Sequence, residues 1–224
     1  MAKGPRSRRT TGMGRVRFSI ALAVAAPLIT FAAILLVRGG IIPLDVGLDV
    51  LTLRIAIVVA FAALGFAIIS LAGSLSQFRR LGLISLAVLL VSAAVAGLFT
   101  WQARALSVAG PLDVSTDLSE PPAIAGAEGR PETCRDFQAV MTQVAPAQAT
   151  EALQSAGFSV TESQLFRARG VRDGFWFGMN HEAVIRIRPG RTDIRVVARY
   201  DRKDGGETCR IARQIMTDLL QAGT

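Results

Sequence analysis

Four arginines are the residues of this chain best placed to do chemistry. Arg186 and Arg188 alternate along Ala183–Arg188, and Arg195 and Arg199 alternate along Asp193–Tyr200, with Pro189-Gly190-Arg191-Thr192 between the two runs. Strand side chains alternate with period two, so this spacing predicts a β-hairpin with all four guanidinium groups on one side. Ile185, Ile187, Ile194, Val196 and Ala198 then fall on the other side, and Val197 points outward between Arg195 and Arg199. Like charges at that spacing repel unless carboxylates or a bound anion lie between them. Two readings are open. One is a salt-bridge layer completed by Asp193, Asp201, Asp204 or Asp173. The other is a binding site for an anionic group, such as a lipid phosphate or a carboxylate, made by Arg186, Arg188, Arg195, Arg199 and Asp204.

Catalytic chemistry has less to work with. His181 is the one imidazole, so any Ser-His or Cys-His mechanism has to use it, with Glu182, Ser159, Thr161 or Ser163 near it. His181 and Asp204, joined by Arg199, would be the residues of an envelope hydrolase. The plainer reading of a lone loop histidine is solvated or structural. No Gly-x-Ser-x-Gly elbow or phosphate loop occurs, and Gly170, Gly174 and Gly178 recur in an expected loop rather than after a strand. Two widely separated cysteines and one histidine have no metal-ligand spacing, so no metal site is expected, and no motif implies a cofactor.

Cys134 and Cys209 are the only cysteines. A disulfide between them is expected if the domain lies in an oxidising compartment, with two free buried thiols as the alternative.

The elements that position these residues read as follows. Pro146 starts a helix whose inner face carries Ala149, Leu153 and Ala156, and Gly157 ends it. Phe158–Thr161 and Gln164–Arg169 read as short strands. Phe175, Trp176 and Phe177 form an aromatic cluster expected to pack into the core. After the hairpin, Asp204-Gly205-Gly206 breaks the chain, and Glu207–Gln221 is an amphipathic helix with Ile211, Ile215, Met216 and Leu219 inward. An antiparallel sheet packed on helices, an α+β domain, fits this order. Its core is expected over 134–224. The preceding stretch, 102–133, is rich in Pro, Gly, Ser and acids and reads as an extended linker lying along the domain surface.

Ahead of the domain come three apolar runs, Val16–Val37, Leu51–Leu75 and Leu81–Trp101, each long enough to cross a hydrocarbon core as a helix. Together they make an α-helical membrane region over 16–101, preceded by a basic tail at 1–15. Arg8-Arg9 and the apolar run after them resemble a secretion signal in part. The run is too long for a cleaved signal, however, and its small-residue pairs fall too early. Ala56/Ala60, Ser70/Ser74 and Ala93/Gly97 repeat small residues at helical spacing and allow close helix packing, within the chain or between copies.

Charge orients the whole. Ten of the 25 basic residues precede residue 102, against only Asp45 and Asp49, so that part carries the full +8 and the remainder is neutral. A neutral domain gives no electrostatic case for nucleic acid. Six basic residues at the N-terminal end, five in the tail and Arg17 at the start of the first run, together with Arg79 and Arg80 between the second and third runs, predict a cytoplasmic N-terminus and an outward-facing domain. That places the protein in a bacterial inner membrane with its domain in the periplasm. Arg54, near the start of the second run, is expected to snorkel to the interface.

The domain resembles domain of unknown function 1499, a bacterial and plastid family. Its Asp-x-Ser-Thr-Asp segment is Asp113, Ser115, Thr116 and Asp117 here, followed by Pro121-Pro122. Asp193, Arg195, Arg199, Asp204 and Gly206 match its C-terminal strand and turn, and Ile185-Arg186 matches its Ile-Arg strand. Val196 and Ala198 replace the two usual serines, and Thr208 replaces the usual asparagine. The resemblance covers roughly residues 111–222 and implies envelope or lumen placement with no known activity. The resemblance leaves function open; a charge-balanced domain with an arginine face and no nucleophile constellation leads to the expectation of a non-enzymatic inner-membrane protein. Its outer domain would bind an anionic envelope ligand or a membrane-protein partner, with the lipid bilayer itself as the other contact. An envelope hydrolase and an accessory subunit of a membrane complex are the alternatives.

Overall fold

The computed structural model describes residues 7–74 and 82–222, which divide into two compact units, 1–104 and 105–224. The short connection carrying Arg79 and Arg80 lies outside the described residues.

The first unit is helical. Helix α1 spans Ser7–Arg38; a π-helical stretch, Val46–Ala56, runs directly into α2, Ile57–Ser74; and α3 spans Leu83–Ser107. Three segments are long and apolar enough to cross a membrane: Val16–Arg38, Val46–Gly73 and Leu83–Ser107. The second begins five residues earlier than the apolar run alone suggested, because the π-helical turns extend it, and Asp49 and Arg54 both fall in its opening turns. The helices meet through small residues. Ala26, Ala56, Ala60, Ala96 and Phe99 form their buried cluster, and Ser19 and Ser70 face each other at 3.4 Å. Ala56/Ala60 is thus an internal packing face. Ala93/Gly97 lies on the exposed side of α3, where Ser85, Ser92 and Ala96 are the buried small residues instead. The outward surface is Phe, Leu, Ile and Val, including Phe18, Leu28, Phe31, Val58, Ile68 and Leu90, as lipid contact requires.

The second unit is a five-stranded antiparallel sheet with helices on one face. Its strands are β1 (Asp113–Ser115), β2 (Ser159–Gln164), β3 (Arg167–Arg172), β4 (His181–Arg188) and β5 (Arg191–Ala198), in the spatial order β1-β5-β4-β3-β2. Helices α4 (Pro146–Ser155) and α5 (Glu207–Ala222) cover one face. Alternation decides which residues meet them: Ala183, Ile185 and Ile187 of β4 and Ile194 and Val196 of β5 pack against Leu153, Ile211, Ile215 and Leu219. Pro146 opens α4 with its ring in place of an amide that would go unpaired. Gly157, at φ +83°, lets the chain turn back, with Gly157 N donating to Gln154 O and Phe158 N to Leu153 O. The β4–β5 hairpin turns on Pro189 and Gly190 alone, Gly190 taking φ +71°, so β5 begins two residues earlier than the sequence suggests, while β4 ends at Arg188 as expected.

The segment 102–133 does more than link. Its β1 is an edge strand paired to β5, and the stretch after it lies across the sheet face opposite the helices, where Ile124 buries Val184 and Val197. Cys134 and Cys209 are joined in a disulfide that ties this segment's end to the first turn of α5. The expected burial of Phe175 and Trp176 is overturned. They are 79% and 59% exposed, on the loop between β3 and β4, because Ile, Leu, Val and Ala already fill the space beneath α4 and α5. Phe177 beside them is only partly covered.

Candidate functional site

The face of the sheet away from the helices is a layer of arginines and carboxylates. Residues of even number on β4 and odd number on β5 point there, and the register sets Arg186 opposite Asp193, Arg188 opposite Arg191 and Val184 opposite Arg195. All four arginines expected on one side do share it, but they divide into two kinds.

Arg195 and Arg199 are fully engaged in holding structure. The Arg195 side chain is 4% exposed and bidentate to Asp113, Nε to Oδ1 at 2.9 Å and Nη2 to Oδ2 at 2.6 Å. It also donates to the carbonyls of Pro122 and Ala127, pinning the covering segment to the sheet. Arg199 and Arg169 clasp the buried Glu182 carboxylate from two sides, and Arg199 donates to Ala125 O as well. Planar guanidinium forks suit such bidentate contacts.

Arg186 and Arg188 belong to a separate cluster at the hairpin tip, with Arg191 as third member. Asp193, its side chain fully buried, and Asp117, 8% exposed, sit at the centre. Arg186 Nη2 lies 3.1 Å from Asp117 Oδ2 and 3.3 Å from Asp193 Oδ2; Arg188 Nη2 lies 2.9 Å from Asp117 Oδ2 and also reaches Asp193; Arg191 Nε lies 2.7 Å from Asp193 Oδ1. The Asp117 carboxyl is held well below the usual carboxylate range, first by the Ser119 hydroxyl at 2.7 Å, then by the Glu120 amide, with Arg188 adding to both against the cost of burial. Three positive charges thus face two buried negative ones. The third negative charge is Glu120, whose side chain is 74% exposed and stands 3.4 Å from Arg188 and 3.8 Å from Arg186.

The Asp-x-Ser-Thr-Asp segment builds both groups. Asp113 holds Arg195, and Ser115 Oγ donates to Asp117 O. Thr116 Oγ1 accepts from Ile194 N, and Asp117 anchors the tip cluster. Of the carboxylates expected to face the arginines, Asp193 does so. Asp113, Asp117, Glu120 and Glu182 are the other partners, together with a fifth arginine, Arg191, at the tip. The motif's two aspartates carried that signal, since each needs a cation once the segment lies on an arginine face.

Asp204 lies elsewhere, at the start of α5. Its Oδ2 accepts from Thr208 N and Thr208 Oγ1, both at 2.7 Å, and its Oδ1 accepts from Gly206 N at 2.8 Å. A carboxylate there satisfies amides that have no partner within the helix and meets the positive end of its dipole. His181 is buried on the helix side of the sheet, its Nε2 2.9 Å from the Tyr200 hydroxyl. Burial pushes the imidazole's pKa below its ordinary value; Arg172 adds to this, while Glu207, Asp204 and the Met179 backbone oppose it. Burial likewise pushes the Tyr200 phenol up, while a hydrogen bond with Thr208 acts the other way. His181 is thus paired with Tyr200, and Asp204 with Thr208. Arg199 projects from the opposite face of the sheet, so the structure does not bring the three hydrolase candidates into one site.

Among the described residues no group of three or more His, Cys, Asp and Glu is arranged to hold a metal ion.

Residues 113–219, from the first aspartate of the motif into the last turns of α5, match the family model described as protein of unknown function (DUF1499). The domain is a member of this family. No curated protein and no solved structure matches the chain. In this DUF1499 domain Val196, at one of the positions where serine is usual, is fully buried against the helices, and Ala198 faces the same way, so neither lines the arginine face. Thr208, which stands where the resemblance has asparagine, donates through its amide and Oγ1 to Asp204.

Proposed function

We propose that the protein is a binding module of the bacterial envelope, anchored in the inner membrane by its three spans, with the DUF1499 domain in the periplasm. Arg186, Arg188 and Arg191 take an anionic group there. One observation carries this reading: three arginines surround two buried carboxylates, and among the described residues the remaining positive charge is balanced only by the exposed Glu120. An exposed carboxylate more than 3 Å from its partners contributes little. A phosphate or carboxylate arriving from solution can displace it and accept charge-assisted hydrogen bonds from arginines already held in place. Asp117 and Asp193 keep those arginines ordered while Glu120 swings aside.

The test is calorimetric titration of the full chain in lipid nanodiscs with inorganic phosphate, a water-soluble glycerophospholipid headgroup and a dicarboxylate. These three arms separate the sources of one chemistry. Glu120→Gln should tighten binding several-fold, and Arg188→Gln should weaken it at least about tenfold, the scale of a lost charge-assisted bond. Absence of binding to the Glu120→Gln protein in all three arms would leave the cluster a purely structural salt-bridge layer.

A further inference from the structure

Phe175 and Trp176 are the most conspicuous residues that the arginine face leaves unexplained. Their rings meet edge to face with centroids 4.9 Å apart, and both stand in solvent. Single exposed apolar residues are ordinary; an adjacent aromatic pair held clear of the core is not. The loop that carries them is tightly built. Gly178 N donates to Gly174 O at 3.0 Å. The Asn180 amide, oriented to satisfy both neighbours, donates to Gly178 O and to Asp173 Oδ1 at 3.0 and 2.8 Å. A Cβ on Gly174 would come within 2.7 Å of the Met179 backbone, so the neck closes only with glycine at this position. The two rings are thus presented on a formed turn, and little ordering remains to oppose their insertion into a partner.

The sheet register fixes where that turn lies. Arg172 pairs with His181, His181 pairs with Ala198, and Ala198 N donates to Leu112 O at 2.7 Å. The loop Asp173–Asn180 therefore leaves the sheet at the same end at which Leu112 leads into it. A Cβ on Gly205, in the turn after β5, would meet Ala105 O, so that turn shares this end too. Only Val108–Leu112 separate the end of the third candidate span, Ser107, from β1. Six Cα-to-Cα steps reach at most roughly 20 Å. The end of the sheet that bears the Phe175–Trp176 loop is thus tethered by at most that length of chain to Ser107, the last residue of α3. Val108, 54% exposed, adds a further apolar side chain to the tether. Phe and Trp with polar turn atoms around them are the side chains that partition into the headgroup region.

We propose that the loop Asp173–Asn180 is a membrane-docking element that seats Phe175 and Trp176 in the headgroup–acyl boundary of the leaflet from which α3 emerges. The occupant of this surface is the lipid bilayer. The three spans of the same chain supply it at high local concentration, and the short tether keeps it in reach. The hairpin tip, and hence the Arg186–Arg188–Arg191 cluster, lies at the opposite end of β4, about 23 Å along the strand at ordinary rise. The proposal does not depend on what that cluster binds.

Trp101 and Trp176 are the only tryptophans, so the Trp101→Phe chain reports on Trp176 alone. The full chain would be placed in nanodiscs of phosphatidylethanolamine and phosphatidylglycerol, with and without lipids brominated near the glycerol end of the acyl chain. Docking predicts at least about twofold quenching of Trp176 by the brominated lipids and protection from aqueous iodide, both lost in Phe175→Ser. Quenching by iodide without quenching by brominated lipid would overturn the proposal. Protection from both quenchers would overturn it as well, by placing the pair against protein. Because Trp101→Phe alters a span, the same difference is to be measured between the natural chain and Trp176→Phe. A Trp176 contribution insensitive to brominated lipid there refutes docking independently.

Discussion

His181 shows how little a residue's type says until its surroundings are known. As the single histidine it was the obligatory base of any triad, yet the fold buries it beside Tyr200 and lowers its pKa. A histidine whose folded pKa lies below its unfolded value of about 6.5 binds its proton more readily after unfolding. Stability from this group is therefore complete above that pH and is lost as pH falls below it toward the lowered folded value. The groups facing the ring are Tyr200, Glu207, Asp204 and Arg172, and burial outweighs the two carboxylates. With no second histidine to confuse the window, the domain should lose stability between pH 7.5 and 5.5 by at most about 1.4 kcal/mol per pH unit, and His181→Gln should flatten that slope. Unfolding midpoints of the two proteins in one detergent, across that range, check it; equal slopes would contradict the burial argument. Sequence pattern placed the arginines on their face correctly because period two is a local property. It did not reveal that Arg195 is consumed by Asp113, from a distant segment, and Arg199 by Glu182 on the paired strand β4.

At the scale of elements, local signals located the hairpin, α4 and α5 to within a few residues, since alternation, Pro146, Gly157 and the apolar stripe of α5 each act within a turn or a strand. The covering segment was harder to read. Asp113–Ser115 is too short to show a period, and only its pairing with β5 makes it a strand. The aromatic loop misled for a related reason: apolar composition suggests burial, but the helices had no room left to cover it. What fastens the covering segment is the Cys134–Cys209 disulfide across 75 residues, together with the Arg195 clasp. By chain entropy a closed loop of that length is worth about 4 kcal/mol. The Cys134→Ser/Cys209→Ser chain should therefore melt more than about 10 °C below the natural one under non-reducing conditions, and a reductant should lower only the latter. Equal melting temperatures would mean that the Asp113–Arg195 pair and the β1–β5 ladder alone hold the segment.

For the whole molecule, the charge asymmetry and the disulfide make independent statements about the compartment. All of the net charge of +8 lies before residue 102, with five basic residues ahead of the first span and Arg17 at its start, and lysine and arginine are retained on the cytoplasmic side. In the proposed orientation three crossings carry the domain to the far side, where thiols oxidise. Both bear on the proposed periplasmic placement, the compartment from which the proposed anion site and docking loop would take their ligands. Intact spheroplasts treated with a membrane-impermeant thiol reagent should give no labelling of Cys134 or Cys209 until an impermeant reductant is added, because both sulfurs are committed to each other. Labelling that instead requires breaking the membrane would put the domain in the cytoplasm. The charge rule would then fail for this chain, the docking loop would face the inner leaflet, and the arginine cluster would meet cytosolic anions at the opposite end of the domain.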